Sequence, residues 1–296
     1  MQTPLQSTPL PEINITSKLV QELLDSQHPD LAHLPLKHLD SGWDNTLFRL
    51  GKEYILRIPR RKVAVKLLRK EQKWLPILAK QLPIEVPTPI RIGIPDQNYP
   101  WHWSITPYFE GQAAAIHAPN ENQAIVIANF LKALHITAPE DAPVSLLRGV
   151  PLAVRAVDVE SRLQRLKEKT DKISPKIEEI WKAALSAPIH HQNCWIHGDL
   201  HSRNIVVHNG KIRAVIDWGD MTSGDVATDL ACLWMLFKKN SVRQTAIEAY
   251  QPSPDLLARA KGWAVFFGAV LLETGLVDNP IHAEIGRGIF ENLHFD

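Results

Sequence analysis

One short stretch of the sequence places acidic, basic and amide side chains close enough to act together. It begins at His197 and reads His-Gly-Asp-Leu-His-Ser-Arg-Asn, so Asp199 is followed five residues later by Asn204. A further acid, Asp217, lies in the run Ile-Asp-Trp-Gly-Asp. The spacing His-x-Asp-x-x-x-x-Asn, with a later Asp, is typical of enzymes that transfer phosphoryl groups.

Phosphoryl transfer explains why these three residue types occur together. The reaction needs a carboxylate that orients the accepting hydroxyl and takes its proton, and Asp199 is the predicted base. It also needs a divalent cation to neutralise charge on the phosphate oxygens. The hard oxygen atoms of Asn204 and Asp217 are ligands that Mg²⁺ prefers, so these two residues are the predicted metal ligands.

Two other interpretations of the same residues are open. Taken singly, Asp199 could cap a turn, Asn204 could end a strand and Asp217 could be a solvated strand end. His-x-Asp-x-His could also belong to a zinc site. The sequence supplies no second ligand cluster, because the remaining candidates are isolated along the chain: His208, His282 and His294.

Supporting roles are predicted for the residues around this stretch. We expect His197 to brace the loop through hydrogen bonds, and Asp229 to tie a following helix to it. The sequence leaves open whether Asp220 and Asp225 contact a substrate or cap loops.

A predicted β-hairpin would bring the metal ligands together. Asn204–Val207 and Ile212–Ile216 are apolar runs separated by Asn-Gly at 209–210. Asn-Gly between such runs is the strongest short-range hairpin signal, because both turn residues must accept a positive φ. The hairpin would return the chain so that Asn204 and Asp217 become neighbours.

The N-terminal part is predicted to be rich in strands. Thr46–Leu50 and Tyr54–Ile58 flank a polar turn and predict a hairpin, and a basic helix follows over residues 62–80. Six prolines between residues 82 and 107 leave room for short strands and no long helix. The two expected strands are Ile90–Ile94 and Trp103–Thr106.

Beyond Glu110-Gly111 the chain is mostly helical, over residues 120–187 and again over 227–290. The apolar run at 263–272 is about half of the roughly 20 residues that a bilayer span requires, so we expect a buried helix.

The order of elements predicts an α+β fold with two lobes: a small β-rich lobe and a larger, mostly helical one. A cleft between lobes is a common place for a ligand.

Composition excludes several classes of protein. The 296 residues carry 33 basic and 32 acidic side chains, a net charge of +1, which argues against nucleic acid as the main partner. The basic side chains concentrate between residues 49 and 80, where a triphosphate would be attracted. The two cysteines cannot form a disulfide framework, and no signal peptide is seen, so we expect a cytoplasmic protein without a membrane partner.

Together these motifs resemble the aminoglycoside phosphotransferase family, which includes macrolide phosphotransferases and choline-kinase-like enzymes. The resemblance implies a bilobal, protein-kinase-like fold, with ATP or GTP between a nucleotide-binding lobe (1–108) and a catalytic and acceptor-binding lobe (109–296). It covers roughly residues 39–237 and rests on six segments: Ser41–Leu50, Tyr54–Arg61, Trp103–Gly111, His197–Asn204, Val215–Asp220 and Gly224–Ala231.

The resemblance also implies roles for individual residues. Asp199 becomes the catalytic base, with Asn204 and Asp217 holding magnesium. Such kinases place a Lys on the third strand, which contacts the nucleotide phosphates and pairs with a Glu on the next helix. Here Arg57 stands in that place, and Glu71 is its expected partner.

Three further residues are expected to contact the nucleotide. Ser41 lies where a phosphate-covering loop belongs, although Ser41–Asn45 has one glycine and no Gly-x-Gly-x-x-Gly. Thr106 and Tyr108 would present backbone groups to the base, unless their segment is a plain connecting strand.

The expected acceptor is the hydroxyl of a small molecule. The acidic residues after residue 271 could form one wall of the acceptor pocket, which would suit a cationic acceptor. Alternatively, these residues lie on solvated faces of helices. No activation-loop stretch follows Asp217, which disfavours a protein substrate. A nucleotide-binding relative without transfer activity is the alternative function. The acids in question are Glu273, Asp278, Glu284, Glu291 and Asp296.

Overall fold

The computed structural model describes residues 10–189 and 193–296, which form a mixed α/β fold. The chain divides into two compact units. The first comprises residues 1–80 and 86–109, and the second comprises residues 81–85 and 110–296.

The first unit is built on a five-stranded antiparallel sheet. Its strands are β1 (Leu36–Ser41), β2 (Asn45–Leu50), β3 (Tyr54–Pro59), β4 (Arg91–Gly93) and β5 (Trp103–Pro107), arranged in the order β1-β2-β3-β5-β4. Two helices accompany the sheet, α1 (Ser17–Gln27) and α2 (Lys62–Leu78).

The hairpin of β2 and β3 follows from alternating side chains. Phe48 and Leu50 on β2 are fully buried and pack in one core with Leu56 and Ile58 of β3. Burial of each such side chain contributes about 1.5–3 kcal/mol. Thr16 caps α1, because its hydroxyl accepts the amide hydrogen of Leu19 at 3.2 Å.

Five strands of the second unit form two small sheets. These strands are β6 (Gln112–Ala113), β7 (Cys194–Ile196), β8 (Ile205–His208), β9 (Lys211–Val215) and β10 (Thr222–Gly224). β6 pairs with β8 and β8 with β9, whereas β7 pairs with β10. The turn of the β8–β9 hairpin has φ = 50° at Asn209 and 73° at Gly210, which confirms the hairpin and its turn residues.

Helices make up most of the second unit: α3 (Gln123–Leu134), α4 (Ala156–Lys167), α5 (Pro175–Ser186), α6 (Ala227–Leu230), α7 (Leu233–Leu236), α8 (Asn240–Tyr250), α9 (Pro254–Asp278) and α10 (Pro280–His294). Glycines let α9 lie close to its neighbours. A Cβ on Gly262 would come within 2.4 Å of Ala184 on α5, and one on Gly286 of α10 would come within 2.5 Å of the Leu272 backbone.

Among the described residues, α9 is the one helix long and apolar enough to cross a bilayer by length and composition, with a mean hydropathy of 1.4. Most of that segment, 67%, is buried inside the protein, as in a core helix. The expected buried helix at residues 263–272 is confirmed, and it extends over 25 residues.

The structure adds four strands that the sequence analysis omitted: β1, β6, β7 and β10. β1 pairs with β2, with an irregular register between His38 and Asp40. Apart from half-buried Leu36, its side chains are exposed, so the edge strand lacks the apolar alternation that identifies a strand. The predicted helix over residues 62–80 is α2, and the two strands expected among the prolines are β4 and β5.

Candidate active site

The loop that follows β7 is fixed by a buried carboxylate. The side chain of Asp229 on α6 is fully buried, and its two oxygen atoms accept the backbone amides of His197 at 2.7 Å and Gly198 at 2.9 Å. Hydrogen bonds to a charged acceptor are among the stronger ones in proteins. The prediction that Asp229 ties a helix to this loop is confirmed.

The imidazole of His197 braces the loop from within, as predicted. Its Nδ1 atom accepts the amide hydrogen of Asp199 at 3.2 Å, and its Nε2 atom donates to the carbonyl of Ile216 at 3.0 Å. Both ring nitrogens are therefore engaged. Within residues 10–189 and 193–296, no group of three His, Cys, Asp or Glu side chains could hold a metal ion. Neither finding favours the zinc interpretation.

The carboxylate of Asp199 is partly exposed, at 23%, and lies between two basic side chains. Oδ1 accepts from Nη2 of Arg148 at 2.7 Å, and Nε2 of His201 lies 3.4 Å from Oδ2. Burial would raise the pKa of Asp199, but the charges of His201 and Arg148 and the hydrogen bond from His201 outweigh burial. The pKa of Asp199 is therefore lowered well below the ordinary aspartate value.

The two predicted metal ligands lie at the two ends of the β8–β9 hairpin, which reverses the chain direction between them. The amide of Ile216 donates to the carbonyl of Asn204 at 2.8 Å, so Asp217 follows directly on the residue that pairs with Asn204. Asp217 adopts the left-handed conformation, with φ = 62°, which is unusual for a residue with a side chain.

The side chain of Asn204 offers both a donor and an acceptor. Its Nδ2 atom donates to the carbonyl of Asp199 at 2.9 Å, which directs the amide nitrogen to the loop. The amide oxygen is then the atom that can bind a cation beside the carboxylate of Asp217. The donor set of one amide and one carboxylate oxygen fits Mg²⁺. Whether these residues bind it stays a prediction.

In the first unit, the expected partners Arg57 and Glu71 form an ion pair between β3 and α2. Nη1 of Arg57 contacts Oε2 of Glu71, and Nη2 lies 3.0 Å from Oε1, so the pair is bidentate. Both side chains are largely buried, with 11% of Arg57 and 2% of Glu71 exposed. A contact with nucleotide phosphates stays a prediction.

The other expected nucleotide contacts lie in the first unit: Ser41 and Thr106 in its sheet, and Tyr108 directly after β5. Ser41 is exposed at the end of β1, and its hydroxyl lies 3.1 Å from Nε2 of His38. Thr106 is buried on β5. The amide of Tyr108 donates to the carbonyl of Glu53 at 2.7 Å, so this donor is already used inside the unit. The nucleotide-binding roles of Ser41, Thr106 and Tyr108 stay predictions.

The structure separates the roles of Asp220 and Asp225. Asp225 is buried, pairs with Arg259 at 2.7 Å and accepts the amide of Ala227, so it stabilises the start of α6. Asp220 is 41% exposed and contacts Nε of Arg148 at 3.2 Å. Arg148 therefore touches two acids of this site. The sequence analysis missed it, because it lies 51 residues before Asp199, in a loop without a motif.

Several acids after residue 271 are engaged in ion pairs, which neither expected explanation foresaw. Glu273 binds Arg162 and Arg165 of α4. Burial would raise the pKa of Glu273, but the hydrogen bond from Arg165 and the charge of Arg162 lower it. Two further acids pair with basic side chains: Glu291 with Lys172, and Asp296 with Arg243 and Lys261.

A fixed loop with a partly exposed carboxylate, followed by a hairpin that leads to a second acid, is the arrangement expected of a phosphotransferase. Residues 35–263 match the model of the phosphotransferase enzyme family, APH, which is more than half of the chain. The chain belongs to this family. A search of curated protein sequences finds no match.

Solved structures of antibiotic phosphotransferases share the fold. A mutant of aminoglycoside 2′-phosphotransferase-IIIa, in its GDP complex, is 17% identical with a TM-score of 0.68, covering 94% of this chain and 97% of that one. Macrolide 2′-phosphotransferase MphH from Brachybacterium faecium is 21% identical with a TM-score of 0.62, covering 93% and 98%. A streptomycin-ATP ternary complex of APH(2″)-IIa is 19% identical with a TM-score of 0.60, covering 94% and 99%. At these identities the likeness shows the fold alone.

Proposed function

We propose that the protein is a small-molecule kinase that transfers the γ-phosphoryl group of ATP or GTP to a hydroxyl. The observation that carries the proposal is the arrangement around Asp199. Its carboxylate is partly exposed and is contacted by Arg148 and His201. Asn204 contacts the backbone of Asp199 and directly precedes the hairpin that leads to Asp217.

In this proposal, the residues of the second unit act on the acceptor and the cation. Asp199 accepts a hydrogen bond from the acceptor hydroxyl, orients it and receives its proton as the hydroxyl oxygen bonds to the γ-phosphorus; the bond from that phosphorus to the β–γ bridging oxygen breaks, and ADP or GDP leaves. Asn204 and Asp217 would hold Mg²⁺, which neutralises charge on the phosphate oxygens. The lowered pKa of Asp199 keeps its carboxylate ionised at neutral pH, so that it can accept the hydrogen bond from the hydroxyl.

In the first unit, Arg57 would contact the nucleotide phosphates while Glu71 holds its guanidinium in place. A guanidinium can bind Glu71 and a phosphate oxygen together, because it has five N–H donors in a rigid plane. Ser41, Thr106 and Tyr108 would contribute the remaining nucleotide contacts. We also propose that residues 1–108 act as the nucleotide-binding lobe and residues 109–296 as the catalytic and acceptor-binding lobe.

The acceptor that we propose is an antibiotic-like molecule or a metabolite with a free hydroxyl. Structures with the same fold hold kanamycin, gentamicin or streptomycin, which makes amino sugars the first compounds to test. A cationic acceptor draws less support from the acids after residue 271, since Glu273, Glu291 and Asp296 are already paired with basic side chains.

A cytoplasmic location is part of the proposal. Its support is that both cysteines are free: Cys232 is buried and Cys194 partly buried. A reducing compartment preserves such thiols.

The decisive experiment compares the wild type with D199A in Mg²⁺-dependent turnover of ATP and GTP. The acceptor panel contains kanamycin, gentamicin, streptomycin, macrolides, amino alcohols and sugars. We expect D199A to lose transfer and to keep nucleotide binding, measured by thermal shift. D171A is the matched control, because Asp171 is a surface acid, 88% exposed. Equal turnover by the wild type and D199A would contradict the proposal.

The alternative function is a nucleotide-binding relative without transfer activity. Its only support in the sequence is Arg57 in place of the usual lysine. It predicts a thermal shift with nucleotide and no phosphorylated product from any acceptor, so the same experiment distinguishes the two functions.

A further inference from the structure

Arg148 connects two acids of the candidate active site with one side chain. Nη2 donates to Oδ1 of Asp199 at 2.7 Å, while Nε donates to Oδ2 of Asp220 at 3.2 Å. The guanidinium is 20% exposed and the Asp199 carboxylate 23% exposed, so this is no ordinary surface pair. A planar guanidinium with two anchored nitrogens has a fixed orientation.

The loop that carries Arg148 is attached to β10. The amide of Ser223 and the hydroxyl of Thr222 donate to the carbonyl of Pro143, each at 2.8 Å. The Arg148 amide donates to the hydroxyl of Ser145 at 3.1 Å. These contacts fix the backbone from which the side chain reaches Asp199.

Glycines on both sides allow the loop to approach this closely. A Cβ on Gly149, which has φ = 66°, would come within 2.9 Å of the Cα atom of Gly224. A Cβ on Gly198 would come within 2.7 Å of the Asp220 carbonyl oxygen and 3.3 Å of Cβ of Arg148. Because Gly198 has no side chain, Arg148 can lie beside the loop.

The guanidinium also lies near an aromatic pair. Its central carbon is 5.3 Å from the ring centre of Phe267 and 6.0 Å from that of Phe266, both buried on α9. Cation–π attraction at these distances adds to the two ion pairs. Arg148 is therefore held by its backbone, by Asp220 and by the aromatic pair, and from this position its Nη2 atom contacts Asp199.

We propose that Arg148 is a positioning residue, which fixes the carboxylate of Asp199 in the orientation that receives the acceptor hydroxyl. This inference rests on the proposed kinase function. Arg148 and His201 contact different oxygens of Asp199. Each carboxylate oxygen has two lone pairs, so these contacts set the plane of the carboxylate and leave an acceptor position on each oxygen.

Kinetics of R148Q and R148K test the proposal. The assay measures Mg²⁺-dependent turnover of ATP and GTP with water as the acceptor and with any acceptor from the panel. We expect R148Q to lower kcat about 10- to 100-fold with an unchanged KM for the nucleotide, because a misplaced reacting group costs rate without costing nucleotide affinity. R148K should recover part of the loss, since an ammonium can bind the carboxylate of Asp199 but cannot span both acids.

The matched control is R165Q, which removes an arginine of α4 from its carboxylate partner, Glu273 of α9. It should keep the wild-type kcat. A full kcat in folded R148Q, or a loss that appears only in the nucleotide KM, would overturn the proposal. Melting curves of all variants check that R148Q is folded, and R148K carries the test if it is not.

A crystal structure of R148Q separates this inference from the proposed function. If the wild type and D199A turn over nucleotide equally, the proposed kinase function is wrong. The crystal structure of R148Q then tests by itself whether Arg148 positions the Asp199 carboxylate. A turned or disordered Asp199 carboxylate would support its positioning role, and an unmoved carboxylate would refute it.

Discussion

Replacing Asp229 by asparagine tests how strongly the active-site loop depends on one buried carboxylate. The side chain is fully buried and accepts two backbone amides, from His197 at 2.7 Å and Gly198 at 2.9 Å. D229N keeps the shape of the side chain but removes its charge. It also turns one acceptor into an NH₂ group that faces an amide N–H.

The expected cost follows from these two changes. A hydrogen bond to a charged group contributes about 1.5–3 kcal/mol, and an unsatisfied buried donor costs about 1–3 kcal/mol, so D229N should lose about 3–5 kcal/mol of unfolding free energy. At about 2–4 °C per kcal/mol for a unit of this size, Tm should fall by about 6–20 °C. Because the loop carries Asp199, kcat should fall about 100-fold.

Differential scanning calorimetry and steady-state kinetics measure the two effects. D158N is the matched control, because Asp158 on α4 is itself 40% exposed, although it also pairs with two arginines, Arg155 and Arg162. Its cost should stay within about 1 kcal/mol. A D229N protein with the Tm and kcat of the wild type would refute the reasoning.

Two further predictions concern ion pairs. E71Q removes the carboxylate from a bidentate, largely buried pair with Arg57 and should cost about 3–5 kcal/mol in urea unfolding. The double variant R57M/E71L should recover most of that stability, and a double variant as unstable as E71Q would contradict this. E273Q should cost about 2 kcal/mol at pH 7, because the ionised carboxylate binds Arg162 and Arg165. Since the folded-state pKa of Glu273 is lowered, that stabilisation is complete above the ordinary glutamate pKa of about 4.3 and is lost as the pH falls below it. Equal differences between E273Q and wild type at pH 7 and at acidic pH would rule this out.

The features that sequence reasoning predicted are local or carried by a motif. The β8–β9 hairpin was predictable because its Asn209-Gly210 turn requires two positive φ values, which the structure shows. The pairing of Arg57 with Glu71 followed from the resemblance, and the side chains meet. In each case the informative residues stand close together or at a known spacing.

The features that it missed depend on contacts between distant segments. Strand β1 is an edge strand whose exposed side chains carry no apolar alternation. Arg148 comes from a loop that only the folded β7–β10 pair brings beside Asp199. The ion pairs of Glu273 link α9 to α4, a packing that helical periodicity cannot specify.

The side chain of Asn204 combines one observed contact with one proposed role, and few residues could serve both. Its Nδ2 atom donates to the carbonyl of Asp199, and its oxygen is the atom available to a cation. An aspartate at this position would offer a cation a stronger ligand, but it would set a negative oxygen against the Asp199 carbonyl and lose the donor. A glutamine would keep both atoms on a longer, more mobile stem. We therefore expect position 204 to tolerate neither the more charged aspartate nor the longer glutamine.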